Sequence, residues 1–194
     1  MPTNLQHQKA ELITAAKALY AKNMVAAHAG NLSLRLPDGK ILITAANRSK
    51  GSLQPSGILL VDAEGKLLES ESDSKPTSEL ALHLALYQTN PQIKAIVHAH
   101  PPYATALACS GLAFNWQLLE EARLLLGSVP TIPYYAAGSL ELAQAVANAA
   151  TGHFALLLAN HGAVCWGENL EQALFRMEAL EHTARVMAYM RLFK

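Results

Sequence analysis

The apolar and polar positions of the first half of the chain predict one helix followed by paired strands. The apolar positions near the amino terminus recur at helical spacing: Leu5, Leu12, Ile13, Ala16 and Leu19. After them, GNLSLRL and ILIT flank the turn PDGK, which predicts a hairpin over residues 31–45. ILLVDAEGKLL repeats the pattern with a turn at Glu64-Gly65, and ESESDSKPT predicts a polar loop.

The second half predicts strands interleaved with helices. Helical spacing is found in SELALHLALYQT, YATALAC, WQLLEEARLLLG, LELAQAVANAA and the stretch from Leu170 to about Met190. Strands are predicted for IKAIVHAH, TIPYY, FALLLA and AVCW. Together with the early hairpins, this order predicts an α/β fold of three layers, with a mixed, mostly antiparallel sheet between helices. At this length we expect a single domain over residues 1–194.

Composition narrows the possible partners. Fifteen basic and fifteen acidic side chains cancel, and no Lys/Arg cluster is present, so neither nucleic acid nor an anionic membrane surface is an expected partner. No apolar run approaches the roughly 18 residues that span a bilayer. Cys109 and Cys165 fit no metal or redox spacing, and we expect two buried thiols in a cytoplasmic protein. A hydrophobic share of 51% with only 15% charged residues favours a homo-oligomer.

Three histidines stand at the ends of predicted strands. His98 and His100 lie two residues apart in AIVHAH, so their side chains share a face if the strand continues. His161 follows another apolar strand, and we expect the next residue, Gly162, to turn the chain with a positive φ. Three imidazoles suit zinc and similar divalent ions. The alternative is that one of the pair in AIVHAH is a core residue and the other lies on the surface.

A candidate carboxylate precedes them in the chain. Glu79 falls in the predicted first turn of the helix in SELALHLALYQT, where it could do proton chemistry or simply occupy a capping region. His83 is four residues on and could form a ligand pair with it, but we interpret His83 as a packed residue because its helix is otherwise apolar there. Four further histidines have no companion motif: His7, His28, His153 and His182.

An anion site is also indicated. Asn31 after Gly30, Thr44 at the end of ILIT, and Thr77-Ser78 at a helix start offer amides and hydroxyls. The alternative is that these are ordinary turn and cap residues.

These motifs together resemble those of the class II aldolase/adducin family, and within it the pattern of the fuculose-1-phosphate aldolases. GNLSLR, LIT, KPTSELALHLALY, AIVHAHPPYATALA, AAGSLELA and NHGAVCWGENLEQAL occur in the order and spacing of that family, from about residue 11 to residue 190. The family contains aldolases, epimerases, dehydratases and decarboxylases, and the non-enzymatic head domain of adducin.

The resemblance implies roles for the residues noted above. His98, His100 and His161 would ligate Zn²⁺ or another divalent ion such as Mn²⁺ or Co²⁺. Glu79 would ligate the empty metal and then serve as acid/base. The substrate phosphate would be held by Asn31, Thr44, Asn47, Thr77 and Ser78. The implied protein is a cytoplasmic homotetramer that cleaves a small ketose 1-phosphate, through an enediolate, to dihydroxyacetone phosphate and an aldehyde.

Some positions depart from the family pattern. The family usually has T-P-T-G where this chain has Thr44-Ala45-Ala46-Asn47, so a hydroxyl is missing at Ala46, while Asn47 can adopt the left-handed conformation of glycine. Glu121 is a second candidate catalytic carboxylate, with a solvated helix face as the alternative. Tyr189 is a doubtful equivalent of the tail tyrosine of some aldolases. Decarboxylase, 4-epimerase, dehydratase and adducin-like module remain alternatives, although the intact histidine set and Glu79 argue against the module.

Overall fold

A computed structural model describes residues 4–69 and 74–193 of the chain. Eight strands within these residues form one sheet: β1 Asn31–Arg35, β2 Ile41–Thr44, β3 Ile58–Val61, β4 Leu67–Glu69, β5 Ala95–Ala99, β6 Thr131–Ile132, β7 Ala155–Leu158 and β8 Gly162–Gly167. Their order across the sheet is β4-β3-β2-β1-β5-β8-β7-β6. Only β6 and β7 pair in parallel, so the predicted mixed, mostly antiparallel sheet is confirmed.

Helices cover both faces of the sheet. Six α-helices lie in the described residues: α1 Asn4–Ala21, α2 Leu80–Thr89, α3 Pro102–Ser110, α4 Glu120–Leu125, α5 Leu140–Ala150 and α6 Leu170–Met190. One core cluster joins α1, α3, α4 and α6 to one face, and a second joins α2 and α5 to the other. The three-layer α/β/α prediction is therefore confirmed, because a sheet with two apolar faces needs a helical layer on each.

The central strand β5 shows how the two faces are divided. Ala95, Val97 and Ala99 belong to the cluster beneath α1 and α6, whereas Ile96 belongs to the cluster beneath α2 and α5. Successive side chains of a strand point to opposite faces, so His98 faces the α2 side together with Ile96. All five residues of β5 are buried, which explains the near-continuous apolar run in the sequence.

Several elements are shorter than their sequence patterns indicated. The helix expected over residues 116–127 is only α4, and the strand expected in TIPYY ends at Ile132 because Pro133 has no N–H to donate to the ladder. The expectation of a second buried thiol was wrong for Cys109, which is exposed, while Cys165 is buried. α3 turns Ala104 and Ala108 into the core and so leaves the adjacent cysteine outside.

Two further expectations concern the limits of the chain's structure. The predicted loop over residues 69–77 lies partly outside the described residues. Within residues 4–69 and 74–193, no helix combines the length and apolar character needed to cross a membrane. The single domain over residues 1–194 remains a prediction.

Candidate active site

The antiparallel register brings distant polar residues to one end of the sheet. β1 pairs with β5 so that Asn31 lies opposite His98, and β8 pairs with β5 so that Ala163 lies opposite Ala99. The chain enters β8 from the turn that carries His161, which therefore lies beside the end of β5. Asn31 and His161, which are 67 and 63 residues from His98 along the chain, thus lie close to it in the fold.

Gly162 is required here by close packing and not by its backbone angle. The positive φ in this turn belongs to Asn160, at 56°, while Gly162 is already a strand residue, so our expectation for this glycine was wrong. A Cβ at Gly162 would lie 2.5 Å from the Ala99 carbonyl oxygen and 2.6 Å from Cδ2 of His100. The missing side chain lets the His161 turn approach the end of β5.

The three predicted metal-binding histidines converge. One ring nitrogen from each of His98, His100 and His161 lies within 4.8 Å of the others, and the ring centroids are 4.8 to 5.0 Å apart. Nδ1 of His98 is 2.9 Å from the carbonyl oxygen of Ala163 and donates to it, which makes Nε2 the ligand atom of the neutral ring. Burial, followed by the neighbouring His98, lowers the pKa of His100 to about 3 and lowers that of His161 as well. Neutral imidazoles are the form that binds metals.

Glu79 faces this cluster from the amino end of α2. Its backbone occupies the cap position immediately before Leu80, so it precedes the first turn in which we had placed it, and its side chain makes no capping hydrogen bond. Instead Oε2 lies 2.8 Å from Nε2 of His98, and Oε1 lies 3.5 Å from Nε2 of His161. Burial raises the pKa of Glu79, but the attraction of His98 and His161 and the hydrogen bonds from His98 and Asn31 outweigh it, so that the pKa lies well below its usual range.

The donor set fits a divalent cation. Oε1 of Glu79 is buried and has no hydrogen-bond partner in the described part of the chain. A buried carboxylate oxygen without a partner is costly unless a cation satisfies it. Three imidazoles and one carboxylate within one cluster form a ligand set typical of Zn²⁺ or a similar ion. The residues that would hold such an ion are His98, His100, His161 and Glu79.

His83 belongs to a buried hydrogen-bonded chain behind the site. Nδ2 of Asn31 donates to Oε2 of Glu79 over 3.4 Å, which leaves Oδ1 of Asn31 as the acceptor for Nε2–H of His83, 2.5 Å away. Nδ1 of His83 must then accept from the Ser33 hydroxyl at 2.7 Å, and Ser33 is 2.7 Å from the Tyr87 hydroxyl. Burial, with a contribution from His98, lowers the pKa of His83 to about 3. The interpretation of His83 as a packed residue agrees with its complete burial, but its polar contacts were missed.

A cavity of about 210 Å³ opens in front of the histidine cluster. Four of the five residues predicted to bind phosphate line it: Asn31, Asn47, Thr77 and Ser78. Asn47 adopts the expected left-handed conformation, with φ of 56°. Thr44 does not line the cavity. It shares a strand face with Leu42, which points to the α1 side, and its hydroxyl oxygen accepts a hydrogen bond from the Leu32 amide.

Comparison with known proteins gives this arrangement a family. The family model described as Class II Aldolase and Adducin N-terminal domain matches residues 10–188. The chain belongs to this family. The resemblance noted in the sequence is thereby confirmed.

Relatives within the class II aldolase family include proteins with different reactions. The 3-oxo-tetronate 4-phosphate decarboxylase of Escherichia coli O6:H1 is 40% identical over 186 residues, which cover 94% of this chain and 86% of that protein. The L-fuculose phosphate aldolase of Methanococcus maripaludis is 34% identical over 178 residues, or 91% of this chain and 93% of that protein. The crystal structure of YgbL from Escherichia coli superposes with a TM-score of 0.86 at 38% identity, covering 95% of this chain and 89% of that chain.

Glu121, a candidate for this class II aldolase-type site, and Tyr189, compared above with the family's tail tyrosine, both lie outside the cavity. Glu121 is half-exposed on α4, with Oε1 3.6 Å from Nε2 of His182, and it does not line the cavity. Its placement agrees with the alternative of a solvated helix face. The Tyr189 hydroxyl lies 3.1 Å from that of Tyr103 on the surface, and it does not line the cavity either.

Other residues of the cavity wall were missed in the sequence. Lys50 is only 1% exposed and lines the cavity, although a lone lysine in NRSKGS reads as a surface residue. His28 and Ala137 also contribute to the wall, from loops whose course no local pattern indicates. The only signal for His28 is its closeness to the Gly30-Asn31 motif in the sequence.

Proposed function

We propose that this protein is a divalent-metal-dependent enzyme that breaks a carbon–carbon bond of a small phosphorylated sugar acid with release of carbon dioxide. The observation that carries the proposal is Oε1 of Glu79, which is buried without a hydrogen bond from the described residues and lies 3.5 Å from Nε2 of His161, one of three converging imidazoles. The preference for a decarboxylase comes from the relative named 3-oxo-tetronate 4-phosphate decarboxylase, to which the chain is 40% identical. We therefore take a phosphorylated 3-oxo acid as the first substrate to test.

The chemistry of such a substrate suits the cavity. In a 3-oxo acid, the electron pair released when the carboxylate leaves is delocalised onto the adjacent carbonyl oxygen. A divalent ion held by His98, His100 and His161 would supply a Lewis acid for that oxygen. The wall residues Asn47, Thr77 and Ser78 provide neutral donors for a phosphate at the far end of the substrate.

Glu79 would transfer the proton that the product carbon requires. Loss of carbon dioxide leaves a carbon that must take up one proton, and Glu79 is the carboxylate of the cavity wall. Its pKa lies below the usual range, so it is ionised in the free site. In the reaction it would relay a proton from solvent to that carbon. Asn31 donates to its Oε2, and His83 in turn holds Asn31 through Oδ1.

Aldol cleavage of a ketose 1-phosphate is the second candidate. It is favoured by the 34% identity to an L-fuculose phosphate aldolase that covers 93% of that protein. Both reactions break a bond to the carbon beside a carbonyl group. Decarboxylation of 3-oxo-tetronate 4-phosphate and aldol cleavage of a ketose 1-phosphate would both yield dihydroxyacetone phosphate. The metal-binding histidines and Glu79 can serve either reaction, so this part of the site does not choose between them.

The experiment is a direct comparison of the two reactions. The protein, loaded with Zn²⁺, Mn²⁺ or Co²⁺, is incubated with 3-oxo-tetronate 4-phosphate and with a panel of ketose 1-phosphates, and carbon dioxide and dihydroxyacetone phosphate are measured together. We expect equal amounts of both products from the oxo acid and less turnover of the ketose phosphates. Dihydroxyacetone phosphate from the ketose phosphates alone would replace the decarboxylase proposal by the aldolase, and no product from any substrate would refute both.

The remaining expectations concern the state of the protein. We propose Zn²⁺ as the ion, a cytoplasmic location and a homotetramer, as the family resemblance implies. Support for an oligomer comes from large apolar side chains that the described chain leaves exposed: Leu124, Tyr134, Leu140, Leu192 and Phe193. Elemental analysis and light scattering of the purified protein test the ion and the tetramer.

A further inference from the structure

Lys50 places an ammonium group in the wall of the active-site cavity. It follows β2 in the loop that contains Ala46 and Asn47, and its side chain is almost completely buried. Nζ donates to the carbonyl oxygens of His28 at 2.9 Å and of Arg48 at 3.0 Å. These two bonds use two of the three N–H groups of the ammonium.

The charge of Lys50 has no counter-ion of its own. None of the ion pairs found within residues 4–69 and 74–193 includes it. Buried charges are normally paired, because a charge removed from water without an opposite charge is strongly disfavoured. Burial lowers the pKa of Lys50 to about 8, so the side chain remains mostly protonated at neutral pH. The structure therefore contains a cation whose expected anion is absent from the described chain.

The cavity is where such an anion would bind. Lys50 shares the cavity wall with the neutral donors Asn47, Thr77 and Ser78. His98, His100 and His161 line the same cavity as Lys50. An anionic group of a ligand that occupies the cavity would thus meet both neutral donors and one ammonium.

We propose that Lys50 binds an anionic oxygen of the substrate, on its carboxylate or its phosphate, and that this ion pair supplies the missing counter-charge. The inference rests on the proposed function, because it assumes an anionic substrate in this cavity. The competing view is that Lys50 only braces the loops of His28 and Arg48 through their carbonyl oxygens. The two views differ in what happens to ligands that carry no charge.

The binding of three hydroxamates to the metal-loaded protein distinguishes the anion-binding role of Lys50 from the purely structural one. Glycolohydroxamate is uncharged apart from its chelating group, phosphoglycolohydroxamate adds a phosphate, and malonomonohydroxamate adds a carboxylate. Calorimetry is performed on the wild-type protein and on Lys50→Met, Lys50→Gln and Lys66→Met. Lys50→Gln keeps N–H donors for the loop carbonyls without the charge, and Lys66 is an exposed lysine that serves as the matched control.

Loss of a charge-assisted hydrogen bond should weaken binding of one anionic hydroxamate about ten- to a hundredfold in both Lys50 variants. Glycolohydroxamate should bind within about twofold of wild type, and Lys66→Met should change nothing. Weaker binding of the phosphate-bearing ligand identifies the phosphate as the partner, and weaker binding of the carboxylate-bearing ligand identifies the carboxylate. An equal loss for all three ligands, or no loss for any, overturns the proposal.

The outcome is independent of turnover, so it is distinguishable from failure of the proposed function. A protein that binds the anionic ligands through Lys50 but cleaves no substrate would refute the enzyme and keep the anion site. If glycolohydroxamate does not bind even the wild-type protein, the metal proposal fails, and titration of inorganic phosphate and malonate then tests Lys50 alone. Affinities for both ions that are unchanged in Lys50→Gln would overturn the anion site.

Discussion

Replacing His83 with leucine should destabilise the protein by about 1.5–4.5 kcal/mol without unfolding it. The substitution removes two buried hydrogen bonds, to Oδ1 of Asn31 and to the hydroxyl of Ser33. Oδ1 of Asn31 is left without a partner, which costs about 1–3 kcal/mol, whereas Ser33 can still bond Tyr87 and loses only about 0.5–1.5 kcal/mol. The sum lies below the roughly 5–15 kcal/mol by which domains are usually stable.

The assay is urea unfolding of the metal-free protein, followed by circular dichroism, at several pH values. Because burial lowers the folded-state pKa of His83 from 6.5 to about 3, the unfolded chain binds more protons between these values, and the wild-type protein loses stability as the pH falls from 6.5 towards 3. His83→Leu lacks this loss. The difference between the two proteins should therefore narrow below pH 6.5.

The control and the refuting results follow from the same contacts. His182→Leu replaces a half-exposed histidine of α6 and should change stability by less than about 0.5 kcal/mol. A double-mutant cycle between His83→Leu and Ser33→Ala should show a coupling of at least about 0.5 kcal/mol, because the two side chains share a bond. No coupling, or a His83→Leu protein as stable as wild type at pH 7, would refute the buried chain of hydrogen bonds.

Three other substitutions test the metal centre. His100→Ala should lose most bound metal while keeping the fold, and full metal occupancy by elemental analysis would remove it from the ligand set. Glu79→Gln should lower kcat by about 10²-fold or more, the scale of losing a general acid/base, and a fully active variant would place proton transfer elsewhere. Gly162→Ala should weaken metal binding because its Cβ collides with His100. Gly111→Ala is the control: the space around its Cβ is open, so this variant should lose only stability, about 1 kcal/mol. Equal metal affinity in the two variants would contradict the packing argument.

The histidine cluster could be anticipated from the sequence because its chemistry is local. His98 lies on β5 and His100 is the first residue after that strand, and the run around them is apolar enough to identify a buried strand. His161 could be placed at a strand end because an apolar strand, β7, ends shortly before it. The sequences of β5 and β8 do not specify that these two strands pair, so only the family resemblance brought His161 together with His98 and His100.

Thr44 shows a case in which the sequence contained the answer. ILIT alternates two faces, and Ile41 and Ile43 lie on the α2 side with Ser33, while Leu42 and Thr44 face the α1 side. The alternation of strand side chains would have excluded Thr44 from the same face as Asn31 if the pairing of β1 with β2 had been counted residue by residue. The motif match outweighed this simple geometric test.

The contacts of Lys50 and His83 could not be read from local patterns. His83 meets Asn31 and Ser33 across 52 and 50 residues of sequence, because α2 packs over the face of β1. Lys50 is buried because its loop folds back to the carbonyl oxygen of His28. Both depend on how separate elements pack, and such long-range contacts are not fixed by the propensity of any one segment.

The choice between decarboxylation and aldol cleavage must lie away from the metal ligands. Either reaction leaves an electron pair beside a carbonyl group, so the three histidines and Glu79 meet the same demand in both. The reactions differ in the group that departs: in the oxo acid it is a charged carboxylate, which leaves as carbon dioxide, whereas in the ketose phosphate it is a neutral hydroxyl-bearing carbon, which gives up its hydroxyl proton and leaves as the aldehyde. A site that distinguishes them has to respond to that charge, and the cavity wall offers one buried cation, Lys50, for the purpose. If Lys50 is found to pair with the phosphate instead, both substrates would satisfy it equally, and the discrimination would have to come from the shape of the wall around His28 and Ala137.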